Sequence, residues 1–279
     1  MDKQRRKFLK IAGVSALAGI GAPAIIKLTS SNAVASSGGQ EAAAGHAAPA
    51  AAGHGVAAVE APQGVRLGMV IDMRKMAEQP GQLDSAIAAC INAHNIPEFP
   101  DSKNEIKWLW KAPFQNVFLD HSSYHSSTRV ANTPFPALCN HCDDPPCVRA
   151  CPTKATFKLA KNGVVAMDFH RCIGCRFCMA ACPYGARSFN WQDPRPYIKK
   201  YNADFPSRMK GVVEKCNFCG ERLALGQEPA CVEACKATGA ITFGDLNDPQ
   251  SEVRQVLDNE FTIQRKTNLG TKPSVFYIV

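Results

Sequence analysis

The chain has 279 residues, with 32 Lys/Arg against 24 Asp/Glu, a formal net charge of +8, and 13 cysteines. Six of the basic residues and one acid lie in residues 1–35, which leaves 26 against 23, so charge gives no case for nucleic-acid binding. Twelve cysteines fall between Cys139 and Cys235, a density that points to metal clusters or a disulfide framework.

Residues 1–35 read as an export signal. Gln4-Arg5-Arg6-Lys7-Phe8-Leu9-Lys10 precedes an Ala/Gly-rich apolar run from Ile11 to Ile26, and Ala33-Val34-Ala35 supplies a small-x-small cleavage site. The Arg5-Arg6 pair is similar to the twin-arginine signal, whose route delivers proteins already folded around cofactors to the periplasm. An uncut anchor is the alternative, but the run has only 16 residues before Lys27 and its glycines make a poor membrane span. Residues 36–64 are Ala/Gly/Ser-rich, cannot bury enough apolar surface to fold, and read as a flexible linker in which His46 and His54 are solvated.

Three cysteine groups follow. They are Cys139-x2-Cys142-x4-Cys147-x3-Cys151, Cys172-x2-Cys175-x2-Cys178-x3-Cys182, and Cys216-x2-Cys219-x11-Cys231-x3-Cys235. The second is the bacterial ferredoxin run, ending at Pro183. Short gaps let three thiolates of one loop reach three corners of a cubane, and Gly174 is expected to let backbone approach the cluster where a side chain would collide. Zinc knuckles do not explain four cysteines within 11 residues, and closely spaced pairs plus an odd cysteine make poor disulfide staples. No Cys-x-x-Cys precedes His and no G-x-G-x-x-G occurs, which excludes c-type haem attachment and gives no ground for flavin or NAD.

The spacing also contains a repeat. Gly163–Asp168 leads to Cys172, and Met179-Ala180-Ala181-Cys182 closes that stretch. Earlier, Gly68–Asp72 leads to Met76, and Ile87-Ala88-Ala89-Cys90 closes a copy that has lost its first three cysteines and gained four residues. Cys147–Cys151 likewise matches Cys231–Cys235. The chain thus reads as quarter-units A-B-C-D, with A like C and B like D: an α+β fold of two nested ferredoxin-like modules. The folded part spans 65–279, the inner module about 130–195 and the outer about 65–129 plus 196–279.

In two-cluster ferredoxins the fourth cysteine of each run ligates the other cluster. The rule gives cluster 1 on Cys139, Cys142, Cys147 and Cys182, and cluster 2 on Cys172, Cys175, Cys178 and Cys151. Cluster 3 takes Cys216, Cys219, Cys231 and the surviving Cys90, or else Cys235 closes it locally. With three [4Fe–4S] clusters covered by cysteine and no catalytic residue apparent, the chain reads as a carrier of single electrons and not as an enzyme on its own.

These motifs, with Gly211-Val212-Val213-Glu214-Lys215-Cys216 and the tail Gly270–Tyr277, resemble the four-motif iron–sulfur subunits of the dimethyl sulfoxide reductase and polysulfide reductase type. The resemblance covers about residues 65–279, with a vacant first motif. Within that family the signal, linker, degenerate motif and Arg171–Arg187 run look most like the subunit of the sulfite-reductase-associated membrane complex. The resemblance implies an integral membrane quinone-interacting subunit of the polysulfide-reductase type and a periplasmic multihaem cytochrome c as partners, in sulfur respiration.

Arg171, Arg176 and Arg187 flank the middle clusters and either offset cluster charge, bind a partner, or form a solvated face. His121, Tyr124 and His125 read as polar loop residues, Trp108 and Trp110 as a strand or inter-lobe seam, and His141 as no ligand.

Overall fold

The computed structural model describes residues 64–279 except Ser122, Tyr124 and Ser126. The signal, the linker through residue 63 and Tyr124 therefore lie outside the described residues. No helix among the described residues is long and apolar enough to cross a membrane.

Strand β1 (Leu67–Asp72) is buried almost throughout because both of its faces are covered. Met69 and Ile71 enter the main core, while Val70 packs with Val253 and Ile278 in a second one. Asp72 ends the strand and caps α1 (Met73–Glu78), its carboxylate accepting from the Arg74 and Lys75 amides. The 13-residue α2 (Gln82–His94) follows and stops at Asn95, which is left-handed at φ 51°. Strands β2 (Leu109–Pro113) and β3 (Pro134–Leu138) form an antiparallel ribbon, with short helices α3 (Phe114–Val117) and α4 (Thr128–Asn132) between them.

The cysteine-bearing half is built from short pieces. Helix α5 (Pro146–Arg149) precedes β4 (Thr156–Lys158), which pairs antiparallel with β5 (Val165–Met167). Then come α6 (Phe177–Ala181), β6 (Ser188–Phe189) and β7 (Val213–Glu214), the last two paired. Helices α7 (Gly220–Ala224) and α8 (Ala230–Ala234) lead to β8 (Ile241–Asp245), α9 (Glu252–Asn259) and β9 (Val275–Ile278).

The pairing reproduces the A-B-C-D repeat. Helix α5 of unit B packs on α6 of unit C, as α8 of unit D packs on α2 of unit A. The strand after α5 pairs antiparallel with the strand before the unit C loop, and the strand after α8 pairs antiparallel with β1. Each module is thus a strand pair with two helices, and the inner one is inserted into the outer. The degenerate unit A keeps its place, and Met76 and Cys90 are both buried in the main core.

The tail completes the sheet. Strand β9 pairs in parallel with β1, giving the order β8-β1-β9. Just before it, the carbonyls of Lys272 and Thr271 accept from the Asp143 and Asp144 amides at 2.8 and 3.1 Å, and the Ser274 amide donates to Asn140 at 2.8 Å. The end of the chain therefore holds the loop of the first cysteine group.

A buried ion pair of the outer module is tied to the inner one through Asn190. Arg208 Nη2 lies 2.8 Å from Glu214 Oε2, and both side chains are wholly buried. Glu214 also accepts from Trp108 Nε1 at 3.0 Å and from the Asn190 amide. Removing one partner of such a pair leaves an uncompensated charge. Glu214→Gln should therefore cost about 3–5 kcal/mol in anaerobic chemical denaturation. Asp258→Asn, which breaks the exposed Arg254–Asp258 pair, should change stability by no more than about 0.5 kcal/mol.

Candidate iron–sulfur site

All thirteen cysteines are free thiols. The first Cys-x-x-Cys turns of the three cysteine groups share one backbone feature. Their third residues are His141, Gly174 and Phe218, and all are left-handed, at φ 41°, 69° and 54°. Only one of the three is glycine, so the turn is imposed on His141 and Phe218 by the surrounding structure at a conformational cost. Such turns point successive backbone N–H groups into one concavity, a known device for anionic and iron–sulfur groups.

Gly174 has a further reason to be glycine. A Cβ there would sit 2.3 Å from the Gly211 carbonyl oxygen and 3.1 Å from the Phe189 ring. The close approach that glycine allows is to the chain leading into β7.

The thiols converge in sets that cross between loops. Cys139, Cys142, Cys147 and Cys182 line one cavity, with Arg187 in its wall. Burial, then Cys139, Cys147 and Cys182, push the Cys142 thiol up to about 12. In the second group, Cys178 is raised by burial and by Cys147, Cys151 and Cys172, with Arg187 opposing. Cys151 sits lower than an ordinary thiol: although burial raises it, hydrogen bonds from the Thr153 side chain and from the Thr156, Ala155 and Thr153 backbone outweigh that. In the third group, Cys90 is raised well above the ordinary range, by burial first and then by Cys216, Cys231 and Cys219. Cys235 is raised by burial, while a Gln82 hydrogen bond at 3.2 Å favours its thiolate. Cys235 also acts on Cys231, its neighbour one turn away.

The groups adjoin one another in a fixed order. Cys147 packs with Cys172 and Cys178 in one buried cluster, and the first turn touches the third through its His141 ring, so the Cys139 group lies between the other two. The His141 and Phe218 rings, from the first and third turns, stack at 3.6 Å between centroids.

Thiols that raise one another are poorly suited to remain as a group of free anions. Cationic metal relieves that conflict by ionising them all at once. Four cysteines on one cavity, backbone donors at Cys151 and left-handed turns together fit all-cysteine [4Fe–4S] chemistry.

Comparison with known proteins identifies the group. The family model described as "4Fe-4S dicluster domain" matches residues 130–199 and 196–246. The chain is 45% identical over 199 residues to the Hdr-like menaquinol oxidoreductase iron-sulfur subunit 1 of Archaeoglobus fulgidus, covering 68% of this chain and 71% of that one. The chain belongs to the [4Fe–4S] dicluster iron–sulfur proteins. It is also 36% identical to the menaquinone reductase iron-sulfur cluster-binding subunit of Nitratidesulfovibrio vulgaris, over 77% of this chain and 89% of that one. To the arsenate respiratory reductase iron-sulfur subunit ArrB of Shewanella sp. strain ANA-3 it is 37% identical, over 77% and 96%.

Other residues of this dicluster protein are sorted by burial. Arg187 is only 5% exposed, which removes it from the solvated face that was one of its readings. Arg171 and Arg176 are exposed, and Arg176 lies over the Trp191 ring at 4.7 Å. Trp108 precedes β2 and is a seam residue, stacked on His94 at 4.6 Å, whereas Trp110 is half-buried. His121 and His125 are exposed. His141 is wholly buried, and its Nδ1 accepts the Val165 amide at 3.1 Å. Burial, then Lys215, Arg66 and Arg187, hold its pKa well below the ordinary range, so the ring is neutral.

Sequence reasoning passed over His94 and Glu221. His94 Nδ1 faces the Cys90 carbonyl at 2.9 Å and Nε2 faces Glu221 at 2.8 Å. One ligand atom each from His94, Cys219 and Glu221 lie within 4.8 Å of one another. The signal available was spacing: His94 is four residues beyond Cys90 on α2, and Glu221 two beyond Cys219.

Gly174→Ala should destabilise the fold by more than the ~1–2 kcal/mol of a left-handed Cβ, because the Gly211 carbonyl must also move. Gly185→Ala, left-handed at φ 63° with nothing within 4 Å of its Cβ, should show the backbone cost alone. Paired denaturation curves with iron content compare the two.

Proposed function

We propose that this chain is a non-catalytic electron relay with three [4Fe–4S] clusters, joining a quinone-interacting membrane subunit to a second redox partner. The observation that carries the reading is the convergence of Cys139, Cys142 and Cys147 with the distant Cys182 on one cavity, the exchange that the spacing extends to two further sets. Cluster 1 takes Cys139, Cys142, Cys147 and Cys182; cluster 2 takes Cys151, Cys172, Cys175 and Cys178. Cluster 3 takes Cys90, Cys216, Cys219 and Cys231. For Cys90 the support is that Cys216, Cys231 and Cys219 all act on it, whereas Cys235 is engaged by Gln82.

When bound, such clusters exchange one electron each without making or breaking substrate bonds. The protein's residues do the rest. The cysteines fix the spacing of the centres, the left-handed turns present backbone donors, and the apolar core keeps water away. The relatives are named for menaquinol, menaquinone and arsenate, which supports a quinone-linked chain whose terminal substrate is chosen by other subunits. The finer reading is the iron–sulfur subunit of a sulfite-reductase-associated membrane complex, with a multihaem cytochrome c as the second partner. Residues 1–35 would direct it through the twin-arginine route to the periplasm, 36–64 would tether it, and 65–279 would form the double ferredoxin-like domain.

Anaerobically purified protein should contain about 12 iron and about 12 acid-labile sulfide per chain. Zinc in place of sulfide would overturn the relay. Cys90→Ser should lose about four iron or convert one cluster, whereas Cys235→Ser should retain the full complement; the reverse pattern would assign Cys235 as the ligand. Replacing Arg5 and Arg6 with lysine should hold cluster-loaded protein in the cytoplasm, measured by fractionation. Undiminished export of that variant would remove the twin-arginine assignment.

A further inference from the structure

Among the described residues three cations are buried without a carboxylate to answer them: Arg187 is 5% exposed, Lys215 2% and Arg265 4%. Arg265 donates to the Val117 and Tyr184 carbonyls; the other two stand closer to the cysteines. Arg187 Nη1 donates to Thr156 Oγ1 at 3.0 Å and makes a longer contact with the Met167 sulfur at 3.7 Å. Its Nη2 is buried with no protein partner. Lys215 Nζ donates to the carbonyls of Val165 and Cys216. Among the described residues neither forms an ion pair. Two further buried arginines do have acidic partners: Arg208 is paired with Glu214, and Arg66 lies 3.5 Å from Asp143.

Burying an unpaired cation costs several kcal/mol, so a nearby anion must answer it. The surroundings say which. Arg187 stands in the wall of the cavity framed by Cys139, Cys142, Cys147 and Cys182. Its charge is favoured by Cys147, Cys178 and Cys139 against the opposing effect of burial, so it looks onto both the first and second groups. Lys215 immediately precedes Cys216 and holds Val165, another residue of that cavity's wall. It therefore stands between the first and third groups. Arg187 thus lines the first group's cavity and Lys215 is tied to Val165 in its wall, and the first group also lies between the other two.

We propose that Arg187 and Lys215 make the central centre, on Cys139, Cys142, Cys147 and Cys182, the first of the three to accept an electron. This rests on the three-cluster reading above. An electron added to an all-cysteine cubane takes its charge from about −2 to about −3, and a fixed buried cation favours the more negative state. The added electron comes from either neighbouring centre and leaves to the other, with no proton moved and no bond broken. The central position then acts as a well in which the relay holds one electron. Arg187 is a positioning residue here, acting through charge and not as a ligand.

The test is a redox titration of the full cluster-loaded chain, followed by electron paramagnetic resonance. Iron and sulfide are measured on the same samples, so that a shortfall from three clusters is read as failure of the relay assignment and not of this proposal. Cys142→Ser identifies the central signal as the one lost or altered, and Cys90→Ser identifies that of the third group. The central signal should be the first to appear on reduction. Arg187→Gln should make that centre at least tenfold harder to reduce, about 59 mV lower for one electron, and leave the third group's midpoint in place. Arg187→Lys, which keeps the charge, should recover at least half of the shift. A central signal that appears later than another overturns the proposal, whether or not the glutamine variant assembles. An unchanged midpoint in a fully loaded Arg187→Gln protein overturns it equally.

Discussion

Thiols gathered at close range oppose one another's ionisation, and this constraint shapes the cysteine-bearing half of the molecule. Burial and neighbouring cysteines push Cys90, Cys142, Cys178, Cys182, Cys216, Cys219 and Cys231 upward together. Short helices and two- or three-residue strands cannot impose such crowding through their own packing. Metal binding and folding are therefore two descriptions of one event here, since iron ionises the thiols and joins loops that otherwise share little apolar surface. The outer module, with its three-stranded sheet and the long helix α2, contributes the conventional core against which that event takes place.

Around the thiols the protein manages charge with care. Arg208 and Glu214 neutralise each other at the seam, and Arg66 lies near Asp143. His141 is kept neutral amid the cations beside it, so it adds no charge to the first turn while its ring joins that turn to the third through Phe218. The protein thus offers its centres both a low-dielectric setting and a chosen sign of charge, the two levers by which a fold sets a potential.

Much of this was legible from spacing. A repeat of cysteines and short apolar runs, read with the rule that fourth cysteines are exchanged, pointed to Cys90 from a copy that had lost every other ligand. It also foresaw the strand at Gly68–Asp72, because the apolar run and its closing Asp repeat at Gly163–Asp168. Other features were hidden because they depend on contacts between distant segments. The left-handed turn at His141 and Phe218 carries no glycine to announce it. The close approach of Gly174 to the Gly211 carbonyl is not announced by spacing. Arg187 looked like one of three flanking arginines, and only burial separates it from Arg171 and Arg176. Polar residues beside a motif, such as His94 and Glu221, are ordinary in sequence and acquire meaning only when a helix brings them to a cysteine loop.

The grip of the tail on the first cysteine loop has a consequence for the order of manufacture. The amides of Asp143 and Asp144 and the carbonyl of Asn140 find their partners among residues 271–274, near the very end of the chain. Strand β1 likewise waits for β8 and β9 before it has a neighbour on either side. The central loop can therefore take its final shape only after residues 271–274 have emerged from the ribosome. Metal insertion at the first group waits for a segment made long after the loop itself.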